Sequence, residues 1–207
     1  MIINVRGGSG AGKSTVIRAI MALYGNRVPF YVTGRKQPLW YDLGDNVSQV
    51  PLLRVLGHYE VECGGCDTIS RNPTDDTETA MDFIHRLIRE SHAQGIHVLY
   101  EGVILTTVNT HLLKMVEDGL PIHVVNLTTD LETCLMGISD RRLRKDKALG
   151  STVAEVRATL GETTVDNNRS KLRSAFKTAH QLQVKGASVY NCDREQAVIK
   201  VKELLKL

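Results

Sequence analysis

Apolar positions along this chain fall into short dense runs, each broken by only one or two polar residues, separated by longer segments in which they recur every three or four residues. Ile2-Ile3-Asn4-Val5, Ile96-His97-Val98-Leu99-Tyr100, Ile122-His123-Val124-Val125-Asn126-Leu127 and Ala187-Ser188-Val189-Tyr190 are the runs. They have the length of strands, and strands without clean alternation are those covered on both faces. Between them the helical spacing predicts helices over 16–23, 77–93, 107–117, 131–144, 153–160, 168–184 and 194–205. In the last of these Ala197, Val198, Val201, Leu204 and Leu205 share one face. Strands alternating with helices imply an α/β fold, a mostly parallel sheet between two helical layers. In such sheets ligands bind at the carboxyl ends of the strands.

The stretch 28–62 breaks this rhythm. Pro29-Phe30-Tyr31-Val32-Thr33 and Leu39-Trp40-Tyr41-Asp42-Leu43, joined through Gly34-Arg35-Lys36-Gln37-Pro38, predict a β-hairpin, and 52–59 predicts a further strand. The whole reads as a sheet element added to the core on the side where a second substrate enters. Phe30, Tyr31, Trp40, Tyr41 and Tyr59 suit a platform on which a base stacks. For most of them the buried face of the hairpin is the simpler role.

The chain has 207 residues, 42% of them hydrophobic, enough for one domain with a sizeable core. Its net charge of +3 permits a polyanionic partner without requiring one. Cys63, Cys66, Cys134 and Cys192 are too few and too scattered for a disulfide framework, so a reducing compartment is expected. The first strand begins at once, with no signal peptide, and no apolar run has membrane-spanning length. A cytoplasmic protein is therefore expected.

The chemistry starts at Gly7-Gly8-Ser9-Gly10-Ala11-Gly12-Lys13-Ser14, directly after the first strand and opening the first helix. This is the phosphate-binding pattern of Gly, four residues, Gly-Lys-Ser. Its glycines let successive N–H groups turn toward an anion, and the helix N-terminus adds partial positive charge. ATP is the expected ligand, bound by Gly8, Ser9, Gly10, Ala11, Gly12, Lys13, Ser14 and Thr15. Lys13 would reach the β- and γ-phosphates and the Ser14 hydroxyl would sit on Mg²⁺, Thr15 lying one place too late for that ligand position.

Other groups join it. Glu101 ends a buried strand near the loop, where it could hold a Mg²⁺-bound water or orient the nucleophile. Asp67, after Cys63-Gly64-Gly65-Cys66, is placed to take the proton of an acceptor hydroxyl. The two glycines there would allow a substrate close to the backbone. Cys63 and Cys66 have the spacing of half a zinc site, but no second pair completes it. Arg141 and Arg144 share a helical face within a basic cluster, with Arg142 pointing elsewhere, as in a lid (140–165) that neutralises a moving phosphoryl group. Arg169, Lys171 and Arg173 form a basic face that suits either a nucleic-acid backbone or solvent. Asp193, after the last strand, borders the expected nucleotide site.

Taken in order, the phosphate loop, Leu99-Tyr100-Glu101-Gly102, the arginine cluster and the terminal strand–helix resemble P-loop kinases of the nucleoside and nucleotide kinase group. That resemblance spans nearly the whole chain and implies a P-loop NTPase three-layer sandwich. Its parts would be a five-stranded parallel sheet, a lid segment and a β-hairpin insertion, in a single domain over 1–207. Val55-Leu56-Gly57-His58-Tyr59-Glu60, Cys63–Ile69 and Leu99–Val103 further resemble the bacteriophage kinases that act on 5-hydroxymethyl-deoxyuridine in DNA. This implies DNA containing 5-hydroxymethyluracil as partner, in a host-cell cytoplasm, with Asp67 or Glu101 as base. Two other readings share the loop. One is a kinase of free nucleosides, nucleotides or another small metabolite. The other is an ATPase or GTP switch, against which stands the absence of an Asn-Lys-x-Asp motif.

Overall fold

A computed structural model describes residues 1–32, 34–44, 51–60, 64–69, 77–102, 105, 109–146 and 151–207. Among the described residues seven strands form one sheet: β1 (Ile2–Arg6), β2 (Asn26–Phe30), β3 (Trp40–Gly44), β4 (Leu53–Leu56), β5 (His97–Glu101), β6 (Ile122–Leu127) and β7 (Ser188–Cys192). Their spatial order is β2-β3-β4-β5-β1-β6-β7. The five strands from β4 to β7 in that order are parallel, and β3 and β2 continue the sheet antiparallel. The expected five-stranded parallel core is therefore present, with the hairpin extending it edge to edge. The stretch 28–62 is only partly an insertion, because β4 within it belongs to the parallel core. Its Leu53, Val55 and Leu56 are fully buried, as a strand enclosed on both faces requires.

The helices are α1 (Lys13–Met21), α2 (Ala80–Ala93), α3 (Thr110–Glu117), α4 (Leu131–Asp146), α5 (Val153–Ala158), α6 (Glu162–Val184) and α7 (Arg194–Leu205). Two clusters of buried side chains flank the sheet. On one face Ile2, Val98, Tyr100 and Val124 meet Ile84 and Ile88 of α2, Met115 of α3 and Leu182 of α6. On the other, Ile3, Val5, Leu99 and Val125 meet Val16, Ile17 and Ile20 of α1 and Val201 of α7. Burying such side chains stabilises the fold by about 1.5–3 kcal/mol each before the entropy of ordering is counted. The parallel register sets Val5 beside Glu101, so the end of β5 lies next to the loop that follows β1.

The face under α2 and α3 holds a buried histidine. His85 is 5% exposed, its ring stacks on His111 at 4.6 Å, and its Nδ1 lies 2.6 Å from the Met81 carbonyl. A carbonyl only accepts, so Nδ1 carries the proton. Burial pulls the His85 pKa down to about 4, with the bond to Met81 opposing and the neighbouring His111 adding to the fall. Between about pH 6.5 and 4 the unfolded chain therefore takes up a proton that the folded chain refuses. Stability from this group is full above that window and is lost as pH falls through it. We expect His85 to account for roughly 2–3 kcal/mol of the loss between pH 7 and 4.5. Urea unfolding of His85→Gln at the two pH values checks this: the variant's stability should change less between them, and an unchanged difference would refute the assignment.

Candidate active site

The phosphate loop is shaped by what presses on it. Gly10 has φ of +82°, and a Cβ there would lie 2.0 Å from the carbonyl oxygen of Cys134 in α4. Gly137, one turn on, sits so close that its own Cβ would be 2.5 Å from the Gly10 oxygen. At Gly8 a Cβ would meet Leu172 of α6 at 2.8 Å, and the Ser9 N–H donates to Asn168 Oδ1 at 3.1 Å. The loop is thus clamped between α4 and α6. Gly10→Ala should cost about 3 kcal/mol of stability, since it combines a left-handed backbone with a collision against another backbone. Urea unfolding measures it, and a loss below about 1 kcal/mol would contradict the close approach.

A cleft of about 750 Å³ opens at the carboxyl ends of the strands, and it gathers most of the residues singled out in the sequence. Ser9, Gly10, Gly12, Lys13, Ser14, Thr15, Asp67, Glu101, Arg141 and Arg144 all line it. Lys13, 6% exposed, donates from Nζ to the carbonyls of Gly7 at 3.1 Å and Gly8 at 2.9 Å. Burial lowers the Lys13 pKa, Glu101 and Asp67 oppose that fall, and Arg141 adds to it. The Ser14 hydroxyl donates to Glu101 Oε1 at 2.7 Å. Glu101 is 2% exposed, and burial raises its pKa against the pull of Lys13 and the Ser14 bond, with Asp67 raising it further.

Asp67 reaches the same cleft from a 3₁₀ turn, Cys66–Thr68. A tight crossing of the chain puts it there. The Gly65 N–H donates to the His58 carbonyl at 2.8 Å, and Gly57, at φ +94°, is packed so that a Cβ would strike the Gly65 carbonyl carbon at 2.2 Å. A Cβ on Gly65 itself would be 2.4 Å from Glu101 Oε1. Gly64 and Gly65 therefore make room for the chain's own His58 and Glu101, where the sequence had suggested room for a substrate. Asp67 is exposed, and a Cβ at Gly102 would come within 3.1 Å of its Oδ1, so it stands directly beside the end of β5.

Arg141 and Arg144 project from α4 into the cleft, Arg144 paired with Asp140. Helix α5, in the segment expected to act as a lid, is tied to α4 by Arg157 and Glu132 at 2.8 Å; residues 147–150 lie outside the described residues. Asp193 is turned to another task. Its carboxylate accepts from the Gln196 N–H at 2.8 Å, and the Gln196 side chain accepts from the Asp193 N–H, a capping box that starts α7. The next residue, Arg194, lines the cleft, with its Cδ only 2.7 Å from where a Cβ of Gly12 would be.

Arg18, Glu60, Gly137, Asp140 and Arg194 also line the cleft, and the sequence had given none of them a role there. Two of them carried a readable signal. Arg18 falls one helical turn after Ser14. Gly137 is a glycine inside a helical pattern, which marks close backbone approach.

Of the aromatics, Tyr41 and Tyr59 are buried, while Phe30 and Trp40 stack on each other at 3.8 Å with Arg54 over Trp40 at 4.7 Å. Arg169 is exposed and paired with Asp166, Arg173 is exposed and Lys171 half-buried. Cys66 is buried with its thiol toward the Leu56 carbonyl at 3.7 Å, and burial pushes its pKa well up. Cys63 lies outside the described residues. Among the described residues no cluster of His, Cys, Asp and Glu is built to hold a metal by itself, and no helix is long and apolar enough to cross a membrane.

The site nevertheless fits a nucleotide with Mg²⁺. Lys13 places a cation on the wall of the cleft, and the Ser14–Glu101 pair beside it offers the hard oxygen ligands that Mg²⁺ prefers.

No protein-family model matches the chain. Among solved structures, it is similar to a deoxyadenosine kinase from M. mycoides with products dCMP and a flexible dCDP bound, with a TM-score of 0.42, 14% identity, and coverage of 100% of this chain and 98% of the other. The same kinase with bound dATP gives a TM-score of 0.40 and 13% identity, with both chains covered in full. The 5-hmdU DNA kinase of Pseudomonas phage PaMx11 is 36% identical over 206 residues, which cover 99% of this chain and 97% of the relative. With that identity sustained across almost the whole of both proteins, this chain belongs to the 5-hmdU DNA kinase family.

Proposed function

We propose that this protein is an ATP- and Mg²⁺-dependent kinase that transfers the γ-phosphoryl group to the hydroxymethyl group of 5-hydroxymethyluracil in phage DNA, priming the base for further modification. The full-length relationship to a 5-hmdU DNA kinase carries the reading, and the cleft is consistent with it. Bound ATP supplies the phosphoryl group, and Mg²⁺ neutralises charge on its oxygens. The loop from Gly8 to Thr15 holds the triphosphate through backbone N–H groups. Lys13 balances charge at the β- and γ-phosphates, and Ser14 with Glu101 holds the metal. The Asp67 carboxylate accepts the proton of the acceptor hydroxyl as the new O–P bond forms and the bond from the γ-phosphorus to the β,γ-bridging oxygen breaks, with ADP as the leaving group. Arg141 and Arg144 stabilise the charge on the moving group. A base inside a duplex cannot reach such a cleft, so the substrate is single-stranded or the base is flipped out.

Salt dependence separates this reading from a kinase of free nucleosides or small metabolites. Transfer to DNA should weaken steeply between 50 and 200 mM salt as counterions compete for the phosphates. Transfer to a free nucleoside should hardly change. A salt-insensitive reaction would overturn the DNA reading.

A further inference from the structure

A second cavity, of about 560 Å³, adjoins the main cleft and is used by none of the roles above. Arg18 and Glu60 line both spaces, so the two meet at these side chains. The remaining wall comes from α1, the hairpin and the chain just after β4, and includes Arg27, Pro29, Tyr41 and Tyr59. Arg18 is fixed at the junction by donating from Nε to the Tyr59 carbonyl at 2.9 Å. Glu60 interacts with the Tyr41 hydroxyl, which burial and that carboxylate keep protonated, up to about 12. Arg27 is exposed on β2, the edge strand of the sheet, and has no ion-pair partner among the described residues.

The cavity thus pairs an anchored arginine beside the reaction centre with an exposed one farther out, over a floor of tyrosine and proline. A free nucleoside has nothing to place there. A nucleotide within a strand does, because its flanking phosphodiesters must leave the cleft while the target base stays inside. Phosphate contacts from arginines position a strand without reading its sequence, and planar guanidinium groups suit them.

We propose that the cavity between Arg18 and Arg27 holds the phosphodiester backbone next to the target nucleotide, which makes it the subsite that selects DNA over a free nucleoside. The proposal rests on the DNA reading above.

The test compares wild type, Arg27→Ala and Arg27→Lys with a single-stranded oligonucleotide containing one 5-hydroxymethyluracil, from 50 to 200 mM KCl. Arg27→Ala should raise KM for the oligonucleotide about tenfold, as loss of one charge-assisted contact does, with KM for ATP as in wild type. The slope of log affinity against log salt should shrink by about one, the signature of one lost phosphate contact. Arg27→Lys should recover most of that slope, which a merely structural role would not produce. If wild type phosphorylates the oligonucleotide and Arg27→Ala keeps its KM and salt slope, the subsite is refuted and the DNA reading stands. If wild type phosphorylates only free nucleosides, the DNA reading fails first, before any variant is needed.

Discussion

Lys13→Met should reduce kcat/KM for phosphoryl transfer by about a thousandfold or more while the protein stays folded. Lys13 is 6% exposed and its ammonium is held by two carbonyls of its own loop, those of Gly7 and Gly8. Burial disfavours that charge, and Glu101 and Asp67 sustain it. A cation kept in place at such cost is pre-organised: its geometry is set before any phosphate arrives, so little reorganisation remains at the moment of reaction. Single pre-organised donors in enclosed sites are worth about a hundred- to a thousandfold in rate, and cations on a transferring phosphoryl group about a thousandfold or more. Methionine keeps the aliphatic stem and removes only the charge. Steady-state kinetics reads the loss, and far-UV circular dichroism with a thermal melt reads the fold. Activity within tenfold of wild type would show that Lys13 does not act on the phosphates.

Asp67→Asn should separate binding from chemistry. Asp67 stands exposed at the cleft, beside Gly102 and within electrostatic reach of both Lys13 and Glu101. Asparagine preserves shape and hydrogen-bonding reach but cannot accept the acceptor's proton. Loss of a positioned general base typically costs about a hundred- to ten-thousandfold. Single-turnover transfer should fall within that range, and the ATP dissociation constant should stay within about threefold of wild type. Near-wild-type transfer would move the base role to Glu101. The two carboxylates are physically distinct, which is why the variant discriminates. Glu101 is buried and bonded to Ser14, and burial raises its pKa, whereas Asp67 is exposed in the cleft wall.

Much of this site was legible because it is written in local sequence. The phosphate loop is contiguous, and Glu101 follows an apolar strand whose register against β1 delivers it to the loop. Arg141 and Arg144 are three residues apart on one helix and reach the same cleft, while Arg142 does not line it. What escaped depends on chain crossings that local spacing does not encode. The pinch of Gly57 against Gly65 reverses the meaning of the Gly64-Gly65 pair, and only the three-dimensional path shows that Glu101 fills that space. Asp193 and Arg194 differ by one residue and divide two tasks: the first caps α7, and the second lies over Gly12. A helix cap and a site acid look alike in sequence, since both place a carboxylate after a strand and before a helix. Likewise β4 read as a further strand of the added sheet element, because its short run carries a charged arginine inside it, where the runs of the other core strands carry only uncharged polar residues or histidine. Arg54 is nonetheless accommodated by pairing with Asp42 at 2.7 Å and lying over Trp40.

The most direct test is to incubate the protein with γ-labelled ATP and Mg²⁺ and three acceptors: DNA containing 5-hydroxymethyluracil, the same DNA with thymine, and the free nucleosides. The account predicts label on the first alone, released with the modified nucleotide after digestion. Label on free nucleosides alone, or ATP hydrolysis with no acceptor labelled, would contradict it.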